Sequence, residues 1–302
     1  MTEERYPLVS IGLAVYNGGD KLHVALDSLI EQDYPNIELI ISDNASTDNT
    51  QEICAEFMDK RRDSCIQYHR NRSNIGAIAN FNRVFDLAKG EYFTWAAHDD
   101  YRYPENISVC VRELEKSDKV VLAGTACECV NADGSLLMVD KSLTTVGMTP
   151  KQRFMRYKRI LHEYDSHRGG IFYGVFRTEV LRRIAPPLRS ALTADQNMML
   201  RLSLEGEFVT VQEVLLRRSM TGPSNSPGSL RGLARYYGIE GLAEVYGAYL
   251  WREKEIVKMV MAAGKDKLTT GEKVGLVAWS GVHTMVAVGK RVIQLGLGKQ
   301  NR

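Results

Sequence analysis

The first 130 residues alternate short apolar runs with helix-period segments, and few folds accommodate that order. The runs lie at Leu8–Val15, Ile37–Ile41, Cys65–Tyr68, Tyr92–Ala97 and Val120–Val130. Helical segments over about 20–32, 48–60, 76–88 and 104–116 separate them. Near-continuous Val/Ile/Leu strands with a helix in each connection predict an α/β fold, a mostly parallel sheet with helices on both faces. Right-handed crossovers then bring the carboxyl ends of the strands to one edge, where ligands of open α/β sheets bind.

Local chemistry marks the boundaries. Asp20 is placed to cap the first helix, and the run from Ser46 to Thr50 offers cap oxygens to the second. Residues 131–150 read as irregular, with a turn signal at Asn131-Ala132-Asp133-Gly134. A helix near 151–160, a strand near 170–177, a helix over 194–205, a strand over 207–216 and a loop over 217–229 follow. The expected organisation is a first domain over 1–228, made of halves 1–130 and 131–228, and a helical C-terminal extension over 229–302.

Three segments carry chemistry. Residues 9–50 bring Ala14, Tyr16 and Asn17 to the end of the first strand, and Asp43 to the end of the second. A carboxylate beside an aromatic ring suits a flat heterocycle with an N–H donor, such as uracil or thymine; the plain alternative is that Asp43 supports its turn. In residues 90–107 an apolar strand runs into His98-Asp99-Asp100. Adjacent acids repel unless a cation or solvent compensates them, and a hard divalent ion does so with oxygen ligands. In residues 192–208 Asp195 opens a helix, where an acid can serve as an N-cap.

Taken together, the run VSIGLAVYNGGDKLHVALDSLIEQDYPNIELIISDNASTDNT, the His98-Asp99-Asp100 turn and the Ala194-Asp195 pair resemble family 2 glycosyltransferases. That resemblance implies the GT-A fold and an inverting transfer from a nucleotide sugar, UDP- or dTDP-linked, to a saccharide or lipid-linked acceptor. It implies nucleotide-sugar contacts from Ala14, Tyr16, Asn17, Asp43, His98 and Asp99. A divalent cation, Mn²⁺ or Mg²⁺, would be held by Asp99 with Asp100 as a second or outer ligand, and Asp195 would be the catalytic base. Ala97 and His98 stand where many relatives carry an acid, which leaves the ribose contact to His98 or to nothing. Arg217 and Arg218, at the root of the 217–229 loop, are placed to meet the diphosphate, unless that loop is simply solvated. Phe172, Tyr173 and Phe176 suit a sugar-binding wall or a strand core equally well.

Other classes fit less well. The turn after the first strand lacks the G-x-G-x-x-G of a dehydrogenase and the Gly-rich, lysine-bearing loop of a nucleotidylyltransferase. A non-catalytic nucleotide-sugar-binding scaffold remains the alternative, supported by Ala97 and His98 and opposed by Asp99, Asp100 and Asp195. Nothing in the composition points to nucleic acid. Five cysteines without Cys-x-x-Cys spacing read as free thiols, and MTEERYPLVS carries no secretory pattern, so a cytoplasmic location is expected.

The tail stands apart. Residues 251–302 hold ten Lys or Arg against four acids, whereas the whole chain has a net charge of only +2. Val274, Val277, Val282, Met285, Val288, Val292 and Leu295 form an apolar stripe, with Lys273, Ser280, Thr284, Arg291 and Gln294 on the other side. The uncharged stretch 274–288 is too short to span a bilayer. The stripe is expected to lie on an anionic membrane surface from the cytoplasmic side, or to pack on the catalytic domain or a second subunit. On the membrane alternative a truncation near Gly271 is expected to stay folded, and on the packing alternative to aggregate.

Overall fold

Every residue of strand β1 (Val9–Val15) is buried, as its apolar run requires of a strand covered on both sides. The computed structural model describes residues 5–61, 65–141, 143–163, 170–189, 194–220 and 253–297. β1 pairs in parallel with β2 (Ile37–Asp43) and β4 (Tyr92–Ala96), and β2 with β3 (Ile66–Arg70). Helices α1 (Lys21–Ile30), α2 (Thr50–Arg61) and α3 (Ala77–Leu87) form the connections.

The sheet then runs through a short strand, β8 (Val175–Arg177), antiparallel to both β4 and β6 (Val120–Val130). Two successive reversals return β6 to the direction of β4, and β9 (Glu207–Ser219) lies parallel to β6. The two-residue β5 (Tyr101–Arg102) closes the path against β9, and β7 (Leu136–Asp140) pairs with β6. Strands β1, β2, β3, β4, β6 and β9 therefore point the same way, with β7 and β8 opposed, and the ends of β1, β2, β4 and β9 share one edge.

Strand alternation divides the core. Ile11, Leu13, Leu39 and Ile41 pack under α1 and α2. Ile40, Phe93, Trp95 and Phe208 face the other way, toward α3, α5 (Pro150–Glu163) and α7 (Ala194–Glu205). Helix α4 (Asn106–Glu115) covers Val9, Tyr92 and Val175.

Four details differ from the sequence reading. The segment 170–177 opens as a 3-10 turn over Gly170–Tyr173, and only its last residues form β8, followed by a short helix α6 (Thr178–Arg183). The chain passes so close to β6 there that a Cβ on Gly174 would lie 2.5 Å from the Ala123 carbonyl. β7 falls within the stretch read as irregular; Leu136 and Leu137 are exposed, so no core face marked it. Asp20 stands at the N-cap of α1 without a side-chain bond, whereas Asp48 Oδ1 accepts the Thr50 N–H at 3.1 Å. β9 runs to Ser219, so Arg217 and Arg218 belong to a strand and not to a loop.

Most of the described tail faces the other way from the expected stripe, although Val277 does pack on the core. Its described part is a helix over 253–262, here α8, and α9 (Thr270–Leu297). Ser280 and Thr284, read as the polar side, are buried, while Val274, Val282 and Met285 are more than half exposed. The cause lies on α5: Lys158 is fully buried and requires polar partners. It donates to Glu253 Oε1 at 2.9 Å and to the Ser280 carbonyl and hydroxyl, while Ser280 and Thr284 each donate to Glu253 at 2.6 Å. Ile256, Val260, Leu268 and Leu276 seal the contact. Val288, Val292, Leu295 and Arg291 lie outside the described side chains, as does the expected boundary at 228.

Candidate active site

The loops after β1 and β2 are stitched together at the sheet edge. Asn17, with φ of 52°, accepts the Thr47 N–H at 2.9 Å and donates its own N–H to Ser46 Oγ at 2.9 Å. Asp48 Oδ2 accepts the Gly19 N–H at 3.0 Å. Tyr16, at the head of this loop, keeps 45% of its surface exposed and can offer a ring face. Ala14 is buried, so only its backbone is left to meet a nucleotide.

Asp43 is fully buried. Its Oδ1 accepts the Ser46 N–H at 2.8 Å, and its Oδ2 accepts the Tyr68 hydroxyl at 2.8 Å and an Arg70 guanidinium N–H. Burial raises its carboxyl pKa, but the bonds from Ser46, Tyr68 and Arg70 outweigh that and hold it below the usual carboxylate value. The Ser46 hydroxyl donates to Asp43 as well, so its roughly four acceptor positions are taken and a further donor has to displace one of these partners. Tyr68 and Arg70 were missed in the sequence because β3 is short and only partly buried; the Arg70 side chain is a third exposed, whereas that of Asp43 is fully buried.

The second group forms where β4, β5, β9 and the Gly170–Tyr173 turn meet. Asp99 is half-buried and makes no hydrogen bond with the described residues; His98 beside it is also half-buried. Asp100 is buried, with Oδ1 accepting the Ser219 N–H at 3.0 Å and Oδ2 facing Arg218 Nε at 3.4 Å. Burial pushes the Asp100 carboxyl up to about 6, with the Asp99 charge adding to the rise and Arg218 opposing it. The Arg218 guanidinium lies 4.8 Å from the centre of the Tyr173 ring. Arg102, buried behind the turn, donates to the Trp95 carbonyl at 3.1 Å and the Tyr173 carbonyl at 3.0 Å. It ties the end of β4 to the turn that presents Tyr173.

Asp195 opens α7 facing the same group. Its side chain is exposed, yet crowding by the surrounding protein raises its pKa, opposed by the backbone N–H groups of Gln196 and of Asp195 itself and by the Arg218 charge. The Tyr173 hydroxyl feels Arg218, Asp100, Asp99 and Asp195, so these four charges share one neighbourhood. Arg217 is not part of it. It projects from the opposite face of β9, pairs with Glu128 at 2.6 Å and lies over Tyr103. Phe172 stacks on Trp95 and Phe176 meets the same ring edge-on, so both belong to the core and only Tyr173 faces the site.

Among the described residues no three His, Cys, Asp or Glu side chains converge as a ready metal cage. That does not disqualify a cation. Mg²⁺ and similar ions often take one or two carboxylates and complete their shell with water and substrate phosphate. Asp99, an unbonded carboxylate at the ligand edge, fits such a role.

Comparison with known proteins decides the family. The pattern described as glycosyl transferase family 2 matches residues 10–177, more than half of the chain. The chain belongs to glycosyltransferase family 2. An uncharacterised glycosyltransferase of Rickettsia typhi is 35% identical over 153 residues, 50% of this chain and 44% of that protein. The chondroitin synthase of Pasteurella multocida is 26% identical over 229 residues, 74% of this chain and 22% of its own length. The chain thus spans less than half the length of these curated relatives. Among solved structures, S. aureus TarS 1–349 with UDP-GlcNAc superimposes with a TM-score of 0.65, 16% identity, and coverage of 91% of this chain and 71% of that one. PcManGT of Pyrobaculum calidifontis, a mannosyltransferase bound to GDP-Man and Mn²⁺, gives 0.55, 16%, 95% and 88%. These likenesses show the fold: this family 2 glycosyltransferase has the GT-A architecture, a curled, mostly parallel sheet flanked by helices.

Proposed function

We propose that the chain is an inverting transferase that moves a sugar from a UDP- or dTDP-linked donor to a hydroxyl of a saccharide or lipid-linked acceptor, in polysaccharide or glycan assembly. The observation that carries this reading is the convergence of Asp99, Asp100 and Asp195 around Tyr173 and Arg218. This group lies at the sheet edge that also carries Asp43 and Tyr16. The base packs on Tyr16, and its imide N–H reaches Asp43 once Arg70 shifts aside. His98 borders the ribose, and Arg218, not Arg217, is the arginine near the diphosphate. Structures of similar fold hold UDP-GlcNAc or GDP-Man, which supports a nucleotide-sugar donor.

In the reaction the acceptor oxygen bonds to the anomeric carbon as the bond from that carbon to the diphosphate oxygen breaks. The acceptor's proton passes to Asp195, and the nucleoside diphosphate leaves on the opposite face. A bound Mn²⁺ or Mg²⁺, held by Asp99, would stabilise the charge that collects on the diphosphate. The raised pKa of Asp195 suits a base, since a more basic carboxylate takes the proton more readily.

No helix among the described residues is long and apolar enough to cross a membrane. The exposed Val274, Val282 and Met285, in a tail with a surplus of six positive charges, support peripheral contact with an anionic, cytoplasmic membrane face. Flotation with anionic vesicles tests that part: binding at low salt that fades at high salt supports it, and no binding at low salt excludes it. The donor is tested by thermal shift with nucleotide sugars and Mn²⁺. Stabilisation by uridine or thymidine diphosphate sugars supports the reading; stabilisation by none of them opposes it.

A further inference from the structure

Asp99 and Asp100 are adjacent in sequence, but their surroundings differ. Both oxygens of Asp100 are engaged, one by the Ser219 N–H and one by Arg218 Nε. The Asp100 and Arg218 side chains are 7% and 10% exposed. The aromatic face of Tyr173 holds the guanidinium in place. A divalent cation approaching Asp100 would have to displace a fixed positive charge that repels it, and would also strip the Ser219 N–H of its acceptor. Asp99 has no such partner among the described residues and is open to solvent.

We propose that Asp100 and Arg218 form an electrically neutral positioning pair. Arg218 is the built-in counter-cation of Asp100, keeps it out of the metal's coordination shell and leaves Asp99 as the protein's ligand. Asp100 acts by anchoring the end of β9, and through it Arg218, beside Asp99 and Asp195. This rests on the metal-dependent reading above and deepens it, since adjacency alone would make both acids ligands.

The test is Mn²⁺ retention by the full chain, with free Mn²⁺ counted by electron paramagnetic resonance, alone and with UDP. Asp99→Asn should abolish retention. Asp100→Asn should weaken it, because an unpaired guanidinium is left beside the cation. Without UDP, where Arg218 has no diphosphate to meet, Arg218→Gln should tighten it by roughly tenfold, in the range of ordinary coupling between interacting sites. Under the same condition the double variant Asp100→Asn, Arg218→Gln should return to within about twofold of the native chain, as removal of a neutral pair requires. Adding Arg218→Gln to Asp99→Asn should restore nothing. If the double variant is as weak as Asp100→Asn alone, Asp100 is a direct ligand and the inference is wrong, although the metal reading stands. If the native chain retains no Mn²⁺ under either condition, the metal reading fails as well. Should Arg218→Gln not fold, Arg218→Lys keeps the pair and must retain Mn²⁺ like the native chain. In that case, equal loss in Asp100→Asn and Asp99→Asn overturns the inference.

Discussion

Lys158 on α5 and Glu253 on α8 form a buried ion pair, 2.9 Å between Nζ and Oε1, that locks the C-terminal helices onto the catalytic domain. Ser280 and Thr284 from α9 complete it. The same α5 packs on α7, whose first turn carries Asp195. These contacts join the described part of the tail, through α5, to the helix that carries Asp195.

Removing one member of this pair leaves a buried charge uncompensated. Glu253→Ala is expected to destabilise the fold by about 3–5 kcal/mol, the range for breaking a buried pair. Lys158→Met with Glu253→Gln should recover much of that loss, which urea unfolding will show. For the same reason a truncation before α9 strips Lys158 of the Ser280 hydroxyl and carbonyl. Such a variant should lose cooperative unfolding and aggregate, against the membrane alternative's expectation that a chain ending near Gly271 stays folded.

Asp43→Ala should weaken UDP binding by about 1.5–3 kcal/mol, the scale of a hydrogen bond to a charged group. Arg70→Ala separates recognition from support. If Arg70 only covers Asp43, its loss should leave UDP affinity equal or tighter in calorimetry. A loss comparable to that of Asp43→Ala would make Arg70 a base contact in its own right.

The pH profile follows from Asp195. Crowding by the surrounding protein favours its neutral form and raises its pKa, although the side chain is exposed, and only the ionised form accepts a proton. Activity should therefore fall on acidification, with the acid limb of kcat/KM centred above the ordinary aspartate value. Asp195→Asn should abolish transfer with UDP affinity nearly intact. A limb at or below the ordinary value, or near-native turnover in the variant, would reduce Asp195 to a helix cap.

Much of this was legible in the sequence, because buried parallel strands are continuous apolar runs and the site acids sit where those runs stop or a helix starts. Asp43 and Asp99 were picked out as candidates at the ends of such runs, and Asp195 at the start of a helix. The partners were not legible. Tyr68 and Arg70 reach Asp43 from a short, partly exposed strand, and Arg102 reaches the Tyr173 carbonyl across a distance in sequence of 71 residues. Periodicity located an apolar stripe on α9 but could not say which side faced inward. That depends on Lys158, more than a hundred residues earlier. Arg217 and Arg218 were read alike because strand alternation counts only once β9 is known to continue through them.

The central claim is inverting transfer from a nucleotide sugar with Asp195 as the base. Real-time proton NMR of the sugar first released to water from an α-linked uridine diphosphate sugar, with Mn²⁺ present, tests it most directly. The native chain should release the β-anomer before mutarotation, and Asp195→Asn should release no sugar. Initial release of the α-anomer, or unchanged release by Asp195→Asn, would contradict it.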